Sequence, residues 1–199
     1  MATHAVYLLR HGQTEWTVSG QHTGRTDVPL TADGERRARL AGKLLREMRG
    51  STEPPALVLS SPRTRALRTA ELAGLTVTEV TEALAEWDYG EYEGLTTPEI
   101  RERVPGWRVW THPVPGGETA AEVGARAAGV VDRARAARST GDVILVGHGH
   151  FSRVLLATWI GRPAGFGVHF GLEPGGIAVL GDERGEPQIV RLNVPPIGF

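Results

Sequence analysis

The stretch Ala5-Val6-Tyr7-Leu8-Leu9-Arg10-His11-Gly12 decides the reading of this chain. Five apolar residues, too few for a helix, read as a buried strand from Ala5 to Leu9. They run directly into a cation, an imidazole and a glycine, the position at the carboxyl end of a strand where open α/β sheets bind their ligands. Outward from this strand, short apolar runs alternate with longer amphipathic stretches, which predicts an α/β fold: a three-layer α/β/α sandwich around a mostly parallel sheet. Leu30-Thr31-Ala32-Asp33 starts a helix that Gly50 stops, with Leu40, Leu44, Leu45 and Met48 on its apolar face. Ala56 to Leu59 is a second strand, and Ser61-Pro62 supplies an N-cap and first-turn proline for a helix through Leu72. Val77 to Val80 reads as a third strand, Ala120 to Arg138 as an alanine-rich helix, Val143 to Val146 as a fourth strand and Phe151 to Ile160 as a helix. Ile177 to Leu180 and Gln188 to Leu192 form a terminal hairpin joined through Gly181 to Gly185.

Between Leu84 and Gly117 the pattern breaks up. Thr97-Pro98 opens a short helix, and Pro105, Pro113 and Pro115 punctuate a segment carrying Trp107 and Trp110. This reads as an insertion, about 88–118, laid over one end of the sheet and shaping a pocket. With 199 residues, a single domain spanning 1–199 is expected.

Composition removes whole classes of function. Twenty-two Lys and Arg against 23 Asp and Glu leave a formal charge of −1, so no global basic field is present to hold nucleic acid or an anionic membrane. Lys43 is the only lysine, the other cations being arginine, which binds carboxylate and phosphate through two parallel hydrogen bonds. With no cysteine there is no disulfide, zinc–thiolate site or thiol nucleophile. The N-terminus lacks the basic start and long apolar run of a signal peptide, and no run reaches the roughly 18 apolar residues of a membrane span, so a cytoplasmic location is expected.

Three strand ends carry the chemistry. Arg10-His11-Gly12 ends the first strand, Gly147-His148-Gly149-His150 the fourth, and Ser60-Ser61-Pro62-Arg63-Thr64-Arg65 the second. The last two run into helices whose N-terminal amides favour an anion, and Arg63 and Arg65 at a helix start oppose its dipole unless an anion lies there. Gly12 and Gly149 would let a ligand approach the backbone. The combination describes an anion pocket. His4, His22, His112 and His169 read as ordinary hydrogen-bonded residues, and His148 with His150, lacking a third ligand, predicts no metal site. No Gly-x-x-x-x-Gly-Lys loop exists, since Lys43 is followed by Leu44, and Gly147 to Ser152 lacks the last glycine of a dinucleotide fingerprint. Asp27-Val28-Pro29 has proline where an aspartyl-phosphate enzyme needs a second aspartate, which leaves histidine as the nucleophile.

These residues resemble the histidine phosphatase superfamily, the branch that includes cofactor-dependent phosphoglycerate mutases, from Tyr7 through about Ile160. The resemblance rests on Leu9-Arg10-His11-Gly12-Gln13-Thr14, Thr26 to Thr31, Ser60 to Ala66, Glu86, Pro115-Gly116-Gly117-Glu118-Thr119 and Gly147-His148-Gly149. Leu84 to Ile100, with Gly149-His150-Phe151-Ser152-Arg153, looks most like mycobacterial broad-specificity acid phosphatases and the sedoheptulose-bisphosphatase-type enzymes of yeast. The resemblance implies that His11 attacks phosphorus and becomes phosphohistidine, that Arg10, Arg65 and His148 hold the phosphoryl oxygens, and that Glu86 is the general acid. Arg65, rather than Arg63, fits the family pattern of Ser-Pro, two residues, then Arg-Ala, leaving Arg63 as a substrate-binding candidate. Thr23 and Gly24 lie where relatives contact the non-phosphate end of the substrate, and Tyr89 where a substrate-binding tyrosine occurs. Thr17 stands where many relatives carry a phosphate-binding asparagine, so the donor would be Thr17 itself, Gln13 or Thr23; His150 stands where mutases have asparagine, and Gly149 and His150 join the binding set.

The expectation is therefore a metal-independent phosphomonoesterase with no cofactor, acting on a small phosphorylated metabolite. A phosphoglycerate mutase and a non-catalytic phosphate-binding module are the alternatives. Exposed tryptophans in the insertion would be compatible with a homodimer.

Overall fold

The computed structural model describes residues 4–196. Its elements, in chain order, are β1 (Val6–Arg10), α1 (Glu15–Ser19), α2 (Ala32–Arg49), β2 (Leu57–Ser60), α3 (Thr64–Leu72), β3 (Glu79–Val80), α4 (Thr97–Arg103), α5 (Ala120–Arg138), β4 (Val143–Gly147), α6 (Gly149–Trp159), β5 (Ile177–Glu183) and β6 (Glu186–Val194). The strands form one sheet in the order β3-β2-β4-β1-β5-β6. β3, β2, β4 and β1 pair in parallel, and the β5–β6 hairpin continues the sheet antiparallel beside β1.

Strand alternation divides the core between two faces. Val6 and Leu8 of β1 pack with Leu145, Val123, Val130, Phe151 and Leu155, the side covered by α5 and α6. Tyr7 and Leu9 pack with Ala41, Leu45, Ala66 and Ala70, the side covered by α2 and α3. Leu8 and Leu9 are both fully buried, and each burial stabilises the fold by roughly 1.5–3 kcal/mol. The expected three-layer sandwich is thus what forms, because consecutive residues of the first strand are apolar toward both layers.

The ends of α2 match expectation: Thr31 accepts from the Gly34 amide and Gly50 closes the helix at φ 60°. Three local expectations are corrected. Ser61 is not the cap of α3, which begins after Arg63; the Asp27 carboxylate instead accepts from both the amide (2.9 Å) and hydroxyl (3.1 Å) of Thr64. The third strand shrinks to Glu79–Val80, because the Thr78 hydroxyl takes over Val58, accepting from its amide at 2.9 Å and donating to its carbonyl at 2.7 Å. The hairpin loop is also shorter than expected: Arg184 and Gly185, at φ 55° and 89°, make a two-residue turn, so β5 extends to Glu183.

The insertion is a packed layer, built on a 3-10 turn (Gly90–Tyr92) and α4. Trp87, Trp107 and Trp110 are 0%, 1% and 8% exposed. Their indoles explain the segment's folding without regular structure: Trp87 Nε1 donates to the Glu118 carbonyl at 2.8 Å and Trp107 Nε1 to that of Pro113 at 3.2 Å. This burial corrects the expectation of exposed tryptophans, and with it goes the support they gave to a homodimer. Among the described residues no helix is long and apolar enough to cross a membrane.

Candidate active site

The β1 ladder ends where the His11 amide donates to the Gly147 carbonyl at 2.9 Å, bringing His11 beside β4 and His148. The two imidazoles meet edge to face at 5.1 Å. His11 Nδ1 donates to the Gly12 carbonyl at 2.7 Å. A carbonyl can only accept, so the proton sits on Nδ1 and Nε2 is left with its lone pair. Burial, then the charges of Arg65 and Arg10, hold the His11 pKa well below 6.5 and keep the ring neutral. The residue whose carbonyl fixes this tautomer is held from its other side, since the Gly12 amide donates to Thr69 Oγ1 at 3.0 Å. The same hydroxyl donates to the Arg65 carbonyl at 2.7 Å, tying the loop of His11 to the helix that carries Arg65.

Gly12 and Gly149 each leave room for a neighbouring part of the protein as well. A Cβ on Gly12 would collide with the backbone carbonyl of Gly34, and one on Gly149 would lie 3.1 Å from the guanidinium carbon of Arg10. Gly12 admits α2, and Gly149 admits the arginine.

Arg10 donates through Nη1 to the Leu172 carbonyl at 2.5 Å. Arg65, fully buried, donates to the carbonyls of Thr26 (2.7 Å), Thr23 (2.9 Å) and Gly24 (3.0 Å). Each guanidinium is therefore aimed by main-chain oxygens, which add no full negative charge. The Nε atoms of Arg10, Arg63 and Arg65, and Nδ1 of His148, are buried without any partner. Buried donors rarely stay unpaired, and those of Arg10, Arg65 and His148, whose groups neighbour the His11 imidazole, suit a multivalent acceptor such as a phosphoryl group. His148 Nε2 lies 2.7 Å from Ser61 Oγ, which gives Ser61 a role that its reading as a helix cap did not anticipate. Burial and the neighbouring Arg65 charge lower the His148 pKa well below 6.5.

Glu86 is 8% exposed and sits on the first turn of α6. Its Oε1 accepts from the amides of Phe151 and Trp87, both at 2.8 Å, and Oε2 from that of His150 at 3.0 Å. His148, the N-cap residue of α6, makes no side-chain cap bond, so Glu86 caps the helix from another segment. A carboxylate has about four acceptor positions. Three are taken, and the last is on Oε2.

Arg10, His11 and Glu86 line a cavity of about 280 Å³ together with Thr17, Thr23, Tyr89, Gly149 and His150. Among the expected binding residues, Thr17 and Thr23 reach this cavity with their hydroxyls committed: Thr17 donates to the Thr14 carbonyl at 2.8 Å and Thr23 to that of Gln21 at 3.1 Å. Gln13 lies outside its lining, where its Oε1 accepts from the Thr31 hydroxyl at 2.8 Å. The hydroxyls of Thr17 and Thr23 are thus already donating to the main chain, whereas the Gln13 side-chain amide nitrogen makes no hydrogen bond within the described residues. Gly24 is also outside the lining; its amide donates to Glu93 at 2.9 Å, and a Cβ there would meet the Trp87 carbonyl at 2.8 Å. Arg63 pairs with Glu82 at 3.1 Å and lines a separate cavity of about 220 Å³ that shares only Glu86 with the first.

His22, read as an ordinary residue, lines the main cavity instead, along with Trp16, Gln21, Thr97 and Arg153. Burial lowers its pKa to about 4, and its ring lies 4.7 Å from Tyr89 and 5.8 Å from His150. The Tyr89 hydroxyl is 2.6 Å from His150 Nδ1, and burial pushes its pKa well above 10. Burial likewise keeps His150 neutral. The one sequence signal that could have marked His22 is its place beside Thr23 and Gly24 on the loop that aims Arg65. Among the described residues no group of three or more His, Asp or Glu side chains is placed to hold a metal ion.

Comparison with known proteins agrees with this geometry. Residues 6–195 match the Histidine phosphatase superfamily (branch 1). The chain is 49% identical to an acid phosphatase of Mycobacterium tuberculosis, over 96% of this chain and 93% of that one. It is 33% identical to the sedoheptulose 1,7-bisphosphatase of Saccharomyces cerevisiae, over 77% of this chain and 66% of that one. A solved open-reading-frame structure from Mycobacterium tuberculosis superimposes with a TM-score of 0.93 at 48% identity, covering 98% of this chain and 99% of that one. The chain therefore belongs to branch 1 of the histidine phosphatase superfamily, and it is a phosphatase.

Proposed function

We propose that this protein is a metal-independent phosphomonoesterase that hydrolyses a small phosphorylated metabolite through phosphohistidine on His11. The observation that carries the reading is a neutral imidazole with Nε2 free, surrounded by buried donors that have no protein partner. Nε2 attacks phosphorus as the bond to the leaving oxygen breaks, and that oxygen takes a proton from Glu86 Oε2. Arg10, Arg65 and His148 meet the charge spread over the transferring group, in a site where such donors need no reorganisation. For His148 to donate from Nδ1, the Ser61 hydroxyl donates to Nε2. In the second half, Glu86 takes a proton from water, the water oxygen bonds to phosphorus, and the nitrogen–phosphorus bond breaks to release phosphate and restore His11. General acid–base help of this kind supplies about 10²- to 10⁴-fold.

The test is p-nitrophenyl phosphate hydrolysis with EDTA, with acid-quenched protein assayed for acid-labile, base-stable phosphate. Activity and phosphoprotein in the wild type, both absent in His11→Ala, are expected. Turnover that survives His11→Ala, or that EDTA abolishes, would overturn the reading. The similarity to an acid phosphatase and a sugar bisphosphatase supports hydrolysis of a metabolite over isomerisation.

A further inference from the structure

The substrate cavity does not end at its lining of catalytic groups. His22, Thr97 and His150 line a second cavity as well, of about 320 Å³, whose other walls are Arg101, Trp107, Arg108, Val109, Trp110 and Val168. The His22–His150 pair is common to the walls of both spaces, a saddle between them. On this saddle each ring has one committed nitrogen: His22 Nε2 lies 3.3 Å from Thr97 Oγ1, and His150 Nδ1 faces the Tyr89 hydroxyl. The other two, His22 Nδ1 and His150 Nε2, make no hydrogen bond within the described residues and are not among the buried unpaired atoms. They are therefore accessible and without a partner.

The outer space differs chemically from the inner one. Inside are the guanidinium, imidazole and carboxylate groups of the reaction. Outside, two buried tryptophans and two valines make an apolar floor, with Val168 at 38% exposure and the exposed Arg101 and Arg108 at its rim. Arg153, stacked 4.5 Å over the Trp110 ring and donating to the Gly167 carbonyl at 3.0 Å, braces that floor. An apolar floor with guanidinium groups at its edge suits a flat ring, which the apolar wall covers and the cations face.

Taking the phosphomonoesterase reading as given, we infer that the alcohol of the substrate is an extended one of nucleoside size. Its first, hydroxylated ring crosses the His22–His150 saddle, and a second, flat ring lies in the outer cavity against Trp107, Trp110 and Val168. The inner cavity alone, at about 280 Å³, sits just under the range of about 300–1,000 Å³ usual for small-molecule sites. The free imidazole nitrogens give the first ring's hydroxyls their partners.

Adenosine 5′-monophosphate and ribose 5-phosphate present the same phosphate and sugar, with and without the second ring. The quantity to read is the ratio of their kcat/KM values. In the wild type the ratio is expected to exceed one by roughly 10-fold, the discrimination available to a pocket that gains an apolar group. Val168→Trp fills the outer cavity and should bring the ratio close to one. Arg108→Ala, at an exposed position that folding tolerates, should lower it by about 3-fold through loss of one cation–π contact. A wild-type ratio near one, or a ratio that neither variant changes, would overturn the inference. Failure of the underlying reading is distinct: it appears as ribose 5-phosphate turnover that survives His11→Ala, whatever the ratio.

Discussion

Replacing Thr69 with valine removes one hydroxyl and keeps the shape of the side chain. In the native fold that oxygen accepts from the Gly12 amide at 3.0 Å and donates to the Arg65 carbonyl at 2.7 Å, and Thr69 is fully buried. The valine leaves the Gly12 amide with no partner and no access to water, a cost of about 1–3 kcal/mol. Part of this appears as lost stability, at about 2–4 °C in Tm per kcal/mol for a chain of this length. The rest appears at His11, because the orphaned amide joins His11 to Gly12, and any shift of that peptide in search of a new partner moves the ring and the Gly12 carbonyl that accepts from Nδ1 relative to one another. If the whole cost falls there, the productive fraction drops about 5- to 150-fold, at roughly 1.4 kcal/mol per factor of ten. The assay is kcat/KM for p-nitrophenyl phosphate across pH 4 to 8, beside thermal unfolding, for wild type, Thr69→Val and Thr69→Ser. Thr69→Ser keeps the hydroxyl and should restore most of kcat/KM while remaining less stable through the lost methyl. If Thr69→Val loses stability but keeps the wild-type kcat/KM and pH profile, Thr69 does not position the nucleophile.

Glu86→Gln offers one acceptor oxygen to three backbone amides, so it should cut kcat on alkyl phosphates by about 10²- to 10⁴-fold and on p-nitrophenyl phosphate by much less, since that leaving group needs no proton; equal losses on both would remove Glu86 as the acid. Gly12→Ala places a methyl group against the Gly34 carbonyl, and is expected to lower both Tm and activity, which a crystal structure with unmoved backbone would contradict. His22 has a folded pKa of about 4 against about 6.5 when unfolded, so the unfolded chain binds the extra proton first as pH falls, and stability present above 6.5 is lost on the way down through 4. Between pH 7.5 and 4.5 the contribution is about 2–3 kcal/mol, so urea unfolding of His22→Phe should be less acid-sensitive than the wild type by an amount of that order; identical acid sensitivity would refute it.

The layers of the fold were legible in sequence because burial on both faces forces β1 and β4 to be apolar without alternation, and the helices between carry one-sided apolar stripes. The residues of the phosphoryl site were legible for a related reason. His11 and His148 lie just beyond strand ends, where position in the chain fixes position in space, whereas only the family resemblance favours Arg65 over Arg63 and singles out Glu86. Long-range hydrogen bonding was not legible. Asp27 displaced Ser61 as the cap of α3 from 37 residues away, and Glu86 capped α6 from 64 residues away, contacts that no local pattern encodes. The far end of the cavity was lost for the same reason. His22 has an unremarkable local context, and it reaches the site only because Gln21 bridges to Thr96 and the folded insertion closes over its ring.

Gly12 and Gly34 each stand where the other's backbone passes: a Cβ on the first meets the carbonyl of the second, and a Cβ on the second meets the carbonyl of Gln13. Position 34 lies in a helix outside the lining of the substrate cavity, yet it holds the loop of the nucleophile in place. Its freedom to vary across generations is spent on that contact. A side chain at either glycine would require α2 to move away from the loop after β1. The inheritance of the reaction therefore extends beyond the residues that perform it, to a glycine whose only duty is to leave room.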